Sequence, residues 1–247
     1  TRADKSYLHI VKIRVIPVRF LAGTHFDLRE TKRTVPSQTR FSNLSEEITR
    51  MLTEPQIRHY DTFGFLVLPG LLTTAEVATA NEEFGVRLAT AKNQTEQRGI
   101  RKQFNWTNLG PDSPFLGSLL EDSRFHGQAK QLMKSEVVGM YANGNAFFGD
   151  RTEWHPDTGH LDRRGVKFAF YLQPLEADTG ALRFIPGSHR APLHTDIREN
   201  IRIKESNKGV EDDAGLDVDE IPAFVAESSP GDVIAFDNRV WHASWGG

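Results

Sequence analysis

The sequence predicts a mainly β protein with flanking helices. From about residue 137 onward, short apolar runs alternate with turns that contain Gly or Pro, a pattern typical of a β sandwich or barrel. Between residues 51 and 134, in contrast, capped segments carry apolar residues at helical spacing. The chain has 247 residues with 38% hydrophobic content, which is enough for one large domain with a sizeable core.

Residues 1–50 differ from the rest, and we predict that they form an N-terminal extension of uncertain role. The stretch from Leu8 to Phe20 is β-rich, whereas the basic and polar segment from Arg29 to Arg40 is predicted to be a loop. Regular patterns begin at Met51, which is a candidate initiator. The main domain is therefore predicted to occupy residues 51–247.

Two capped helices are predicted at the start of this domain, with a short strand between them. Thr53 and Gln56 have the spacing of a capping box, and Gly64 interrupts the first helix before a strand over 65–69. The second helix begins at Thr73–Thr74 and runs to about residue 91. A strand over 99–108 and helices from Ser113 and over 123–134 complete this half.

The second half is predicted to consist mostly of strands. We place them over 137–148, 166–172, 180–185, 221–225 and 231–236. Residues 191–221 are polar and acidic without a strong period, and such a long segment in a compact domain is usually a binding loop or a lid. We predict a lid-like insertion over 190–221.

Composition excludes several classes of function. A net charge of −3 gives no overall electrostatic reason to expect a nucleic-acid partner. No apolar run approaches the roughly 20 residues of a membrane span, and no secretory signal is recognisable. With no Cys, any metal must be bound by nitrogen and oxygen ligands, and the composition fits a reducing, cytoplasmic location.

The strongest candidate site combines His155, Asp157 and His242. On a strand, His155 and Asp157 would lie on the same side, as ligands of one metal must. His242 follows an apolar run, and the intervening strands of one barrel could bring it to the pair. Two histidines and one carboxylate are the facial ligand set of non-haem iron enzymes, but an isolated His-x-Asp pair is more often a surface histidine beside a turn.

Basic residues near this pair suggest an anionic substrate or co-substrate. Arg163, Arg164 and Lys167 follow the pair closely, although a solvated loop is the default explanation for such a cluster. His160 is the nearby loop histidine expected to face the site. His189, after a Pro-Gly-Ser turn, is a fourth ligand or, more plausibly, a packed turn residue.

Taken in order, several motifs resemble the phytanoyl-CoA dioxygenase family of Fe(II)/2-oxoglutarate oxygenases. Each motif alone is loose, but the ordered set is specific and covers about residues 51–247. The set comprises Tyr60–Gly70, Trp154-His155-Pro156-Asp157, Thr179–His189, Gly231–Phe236 and Trp241-His242-Ala243-Ser244.

The resemblance implies a double-stranded β-helix, that is, a jelly-roll or cupin-like barrel. It implies that His155, Asp157 and His242 bind Fe(II), and that 2-oxoglutarate and O₂ are consumed while a substrate C–H bond is hydroxylated. The carboxylate of Asp157 favours hydroxylation over halogenation. The expected substrate is a small, anionic metabolite such as an amino acid or an organophosphonate.

The resemblance also predicts residues around the metal. The family places an Arg after the distal histidine to bind the far carboxylate of 2-oxoglutarate; here that position would fall beyond Gly247, so either it follows the given sequence or Lys102 or Lys167 replaces it. Ser244 and Asn143 are further expected contacts of the co-substrate. Together with Arg163, Arg164 and His160, Tyr141, which shares a strand face with Asn143, is expected to bind the substrate.

Two other functions use the same residues. A zinc hydrolase or isomerase could be built on His155, Asp157 and His242, because zinc accepts the same ligands with an open position. A barrel that has lost catalysis and binds a ligand or partner is the non-enzymatic alternative.

Overall fold

The computed structural model describes residues 8–17, 51–96, 103–147, 152–206 and 221–244. The helices are α1 (Glu54–Phe63), α2 (Thr74–Glu96), α3 (Pro114–Ser118), α4 (Ser123–Met133) and α5 (Leu193–Ser206). The strands are β1 (Leu8–Pro17), β2 (Phe65–Leu68), β3 (Gln103–Thr107), β4 (Val137–Phe147), β5 (Thr152–His155), β6 (Val166–Tyr171), β7 (Leu182–Phe184), β8 (Phe224–Ala226), β9 (Val233–Asp237) and β10 (His242–Ser244).

The strands form two antiparallel sheets that pack against each other. One has the order β2-β9-β6-β1-β4-β3 and the other β5-β10-β7-β8. Aromatic side chains fill the space between them; Phe65 of the larger sheet stacks on Phe184 of the smaller at 4.7 Å between ring centroids. The predicted mainly β architecture is therefore present.

The helices cover the outer face of the six-stranded sheet. Buried residues of α1, α2 and α4, including Tyr60, Phe84 and Phe125, share one apolar cluster with the sheet. The two predicted caps are present, since Gln56 accepts from the Thr53 N–H at 2.8 Å and Glu76 from the Thr73 N–H at 2.8 Å. These reciprocal bonds satisfy backbone donors that have no partner within a helix.

Strand β1 lies in the middle of the larger sheet, whereas the sequence analysis had set residues 1–50 apart as an extension. It pairs with β4 on one side and β6 on the other, both antiparallel. Val11, Ile13 and Val15 are fully buried against the helices, and the alternate positions face the space between the sheets. Leu8–Pro17 thus contributes both to the core and to the interior of the barrel.

The segment predicted as a lid-like insertion over 190–221 is partly helical in the structure. Its first portion is helix α5, with Ile197 fully buried against the two tryptophans Trp154 and Trp241. Positions 207–220 of the predicted insertion lie outside the described residues. The helix was not predicted because its sequence has only a weak apolar period. Few of its residues are apolar, since α5 packs on the protein along a narrow stripe that includes Ile197. None of the described helices combines the length and apolarity required to cross a bilayer.

Candidate metal centre

Three side chains converge at one end of the smaller sheet. His155 ends β5 and His242 begins β10, and the two are direct cross-strand partners. Asp157 follows β5 in the next turn. One ligand atom from each of the three lies within 4.8 Å of the other two, a spacing that a single metal ion could bridge.

Both histidines are held in the same tautomer by their own strands. His155 Nδ1 is 2.8 Å from the Glu153 carbonyl oxygen and His242 Nδ1 is 2.9 Å from that of Val240. Since a carbonyl only accepts, each Nδ1 carries the proton and each Nε2 has a free lone pair. Burial lowers the pKa of both histidines, that of His242 to about 3, so both are neutral ligands at physiological pH.

Asp157 is held in its ionised form. Burial by itself would raise its pKa, but the charge of Lys167, its hydrogen bond and the charge of Lys12 hold the pKa well below its usual range. Lys167 Nζ lies 2.5 Å from Asp157 Oδ1. Asp157 Oδ2 is buried and has no hydrogen-bond partner among the described residues. A buried carboxylate oxygen without a donor, beside two free imidazole lone pairs, fits a divalent cation.

The turn that follows β9 holds the Asp157 loop in place. Asn238 accepts from the Thr158 N–H through its carbonyl at 3.1 Å and from the Gly165 N–H through its side chain at 2.9 Å. Arg239 binds the Asp237 carboxylate with two nitrogens and donates to the Leu161 carbonyl at 2.7 Å. The loop that carries Asp157 is thereby fixed to the turn that leads into His242, another of the three candidate ligands.

An open cavity extends from the histidines into the space between the sheets. Two lysines, Lys12 and Lys167, and two hydroxyl groups, Thr152 and Ser244, supply most of the polar groups in its wall. Aromatic and aliphatic side chains line the rest: Ile10, Phe147, Ala169, Tyr171, Leu182, Phe236 and Ala243. The wall beside the three candidate ligands therefore combines positive charge with apolar surface.

The predicted co-substrate residues are partly at this cavity. Ser244 and Lys167 line it, whereas Asn143 does not contribute to its wall and instead lies opposite Lys12 on β4. Tyr141 is half-buried on the same face of β4 and accepts a hydrogen bond from Arg14. Lys102 lies outside the described residues.

The basic residues predicted to bind the substrate lie away from the cavity. Arg164 pairs with Asp61 at 3.2 Å and with the buried Asp237 at 3.4 Å, and Arg163 and His160 are exposed; none of the three lines the cavity. His189 is a packed turn residue, 2% exposed, with Nε2 3.2 Å from the Asp61 carbonyl. Ion pairing to the body of the protein draws Arg164 away from the metal site.

Sequence reasoning missed two groups of residues. From the sequence, Asn238 and Arg239 could only be assigned to a polar turn before His242. No sequence pattern predicted that they bind the Asp157 loop. Lys12 was missed because its strand was placed in an extension, although the alternation in Ile10-Val11-Lys12-Ile13-Arg14-Val15 puts two basic residues on one face. That alternation was the signal available.

Comparison with known proteins identifies relatives over most of the chain. The sequence model of the family described as Phytanoyl-CoA dioxygenase (PhyH) matches residues 60–246, a range that leaves out β1. The chain is 27% identical over 219 residues to the ectoine dioxygenase of Bordetella bronchiseptica, covering 78% of this chain and 70% of that protein.

Solved structures share the fold. HygX from Streptomyces hygroscopicus, with nickel and 2-oxoglutarate bound, superposes with a TM-score of 0.59 at 19% identity, covering 78% of this chain and 81% of that one. EctD from S. alaskensis, with 2-oxoglutarate and 5-hydroxyectoine, superposes with a TM-score of 0.57 at 20% identity. The superposition covers 79% of this chain and 71% of EctD. The predicted double-stranded β-helix is confirmed by these likenesses.

Proposed function

This chain belongs to the phytanoyl-CoA dioxygenase family, and we propose that it is a hydroxylase of a small, anionic metabolite in which His155, Asp157 and His242 bind Fe(II). The enzyme class is that of the 2-oxoglutarate-dependent dioxygenases. Iron and 2-oxoglutarate, when bound, supply the oxidation: 2-oxoglutarate and O₂ yield succinate and CO₂, and one oxygen atom enters a substrate C–H bond. The protein's own task is to bind, orient and shield.

The observation that carries the proposal is the three-ligand cluster. Two neutral imidazoles and one ionised carboxylate within 4.8 Å of one another present a facial set, which leaves the remaining coordination positions open. Each histidine ring is oriented by a carbonyl of its own strand, and Lys167 keeps Asp157 ionised. Orientation by such outer partners is typical of functional metal sites.

The walls of the site shield it from water. The rings of Phe236 and Phe184 lie 4.9 Å and 6.2 Å from that of His242, so one side of the site is aromatic. A dry wall strengthens the electrostatic interactions inside the site and limits side reactions with water.

The substrate is proposed to be recognised by Arg14 and Tyr141. Neither Arg14 nor the cluster of Arg163 and Arg164 lines the cavity, but Arg14 is opposite both Tyr141 and the cavity residue Lys167 in the sheet. Arg14 Nε is buried and without a hydrogen-bond partner among the described residues. A guanidinium with a donor to spare next to Lys167, which itself pairs with Asp157, favours a carboxylate or phosphonate group on the substrate.

The test is substrate-stimulated turnover of 2-oxoglutarate. Anaerobically purified protein is loaded with Fe(II), exposed to O₂ with 2-oxoglutarate, and screened against amino acids and organophosphonates while succinate is measured. We expect at least one anionic compound to raise succinate formation and to gain one oxygen atom by mass. Replacing Asp157 with Ala should abolish this. Turnover in which Zn(II) replaces Fe(II) and 2-oxoglutarate is not needed would contradict the proposal.

A further inference from the structure

Lys12 is a cation in the wall of the cavity that forms no ion pair with any residue in the described part of the chain. It extends from the middle of β1, where Ala169 of β6 lies opposite and leaves room for its side chain. The contact recorded for its ammonium group is with the Phe147 ring, 5.8 Å from Nζ to the centroid, and no acidic side chain of the described ranges forms an ion pair with it. The charge of Asp157 acts on the Lys12 ammonium without a direct ion pair, and a partly buried ammonium is costly unless a close anion, such as one from a ligand, compensates it.

The proposed co-substrate has a charge that the metal does not satisfy. 2-Oxoglutarate is a dicarboxylate, and its 2-oxo acid end is the part able to chelate iron, so the second carboxylate enters the cavity at the far end of a short carbon chain. Carboxylates buried between aromatic and aliphatic side chains require charged or hydrogen-bonding partners. Lys12 lies in the same cavity wall as both metal-binding histidines, with Thr152 and Ser244.

We propose that Lys12 on the N-terminal strand binds the far carboxylate of 2-oxoglutarate. This inference rests on the proposed function, because it requires 2-oxoglutarate as the co-substrate. It also gives β1 a role in the reaction: the strand between β6 and β4 completes the binding site as well as the sheet. The matched family region begins at residue 60, so the lysine comes from outside it.

Lys167 is the less suitable cation of the two. Its Nζ already lies 2.5 Å from Asp157 Oδ1, so its charge is used on a metal ligand. Moving it to the co-substrate would leave Asp157 without the ion pair that lowers the carboxyl pKa. Lys12 can bind a carboxylate without breaking an ion pair to any of the described residues.

The experiment measures binding rather than turnover. Protein loaded with redox-inert Ni(II) is titrated calorimetrically with 2-oxoglutarate and with 2-oxopentanoate, which has the same chain length and chelating end but no far carboxylate. Wild-type protein should prefer 2-oxoglutarate. The substitution Lys12→Met should weaken 2-oxoglutarate binding about 30-fold or more, as expected when one partner of a buried charge pair is removed. Binding of 2-oxopentanoate should change less than about threefold, because the lost contact does not involve it.

Two controls separate the possible failures. Lys130→Met removes an exposed lysine that pairs with Glu136 and should leave both affinities unchanged; Lys12→Arg should recover part of the preference. Wild-type protein that binds Ni(II) but neither oxo acid would refute the proposed function itself. Wild-type protein with a preference that Lys12→Met retains in full would refute the role of Lys12 alone. Loss of both affinities together in Lys12→Met, with Ni(II) still bound, would also count against it.

Discussion

His155 and His242 face each other across the β5–β10 ladder, with their ring centroids 4.4 Å apart. The register of one strand pair therefore brings together two candidate metal ligands that are 87 positions apart in sequence (242 − 155). Because a slip of one residue would turn one ring to the opposite face of the sheet, the ladder fixes the geometry of the site.

Removing His155 should disable metal binding without unfolding the protein. We expect His155→Ala to weaken Ni(II) binding by more than about 100-fold, since even the outer partners of metal ligands are worth 10- to 100-fold. The control is His160→Ala, which removes an exposed histidine five residues away. Calorimetric titration with Ni(II) measures both. Equal affinities in the two variants would show that His155 is not a ligand.

Truncating the core of β1 should destabilise the whole domain. Ile13 is fully buried between the larger sheet and the helices, so Ile13→Ala should lower the free energy of unfolding by about 2–5 kcal/mol. Met140→Ala removes a side chain that is 47% exposed and should cost far less. Urea denaturation monitored by circular dichroism gives both values. A negligible effect of Ile13→Ala would mean that β1 does not pack in the sheet.

The Asp237–Arg239 pair should contribute more to the free energy of unfolding than an exposed pair of the same type. Asp237 is fully buried, and Arg239→Met leaves its carboxylate with the backbone N–H of residue 239 at 3.0 Å and with Arg164 at 3.4 Å, so we expect a loss of about 3 kcal/mol. The matched substitution Arg58→Met breaks an exposed pair with Glu54, worth about 0.5 kcal/mol. The same denaturation assay compares them. Similar losses in the two variants would contradict a structural role for Arg239.

Lys12 should make stability depend on alkaline pH. Burial and the charge of Lys167 lower its pKa in the folded protein to about 7, from an ordinary value of 10.5. Between these values the unfolded chain binds more protons, so the free energy of unfolding should rise with pH by at most about 1.4 kcal/mol per unit. Below pH 7 both states are protonated and the contribution is constant.

The measurement is the thermal unfolding midpoint between pH 7 and 10 without metal. Wild-type protein and Lys130→Met should share one slope, and Lys12→Met should have a shallower one. Identical slopes in all three would show that Lys12 titrates normally and that its surroundings do not disfavour the ammonium form.

The amino-acid sequence by itself predicted the local elements and the family, and it singled out His155, Asp157 and His242 as candidate metal ligands. Capping residues such as Thr53 and Gln56 act within one turn, so their helices were predictable from neighbouring positions. The ordered motifs around His155, Asp157 and His242 predicted the family, and the family match over residues 60–246 confirms it.

The tertiary structure alone decided which cations lie around the candidate metal site. Arg164 follows the metal ligands closely in sequence but pairs with Asp61 and Asp237 away from the cavity, while Lys12 is distant in sequence and lines it. The reason is physical: a strand joins a sheet through backbone hydrogen bonds that any sequence can form, so the place of β1 between β6 and β4 is set by long-range packing. The alternation of residues in β1 predicts two faces of the strand. The tertiary structure determines that one face packs against the helices and that the other, with Lys12, faces the cavity.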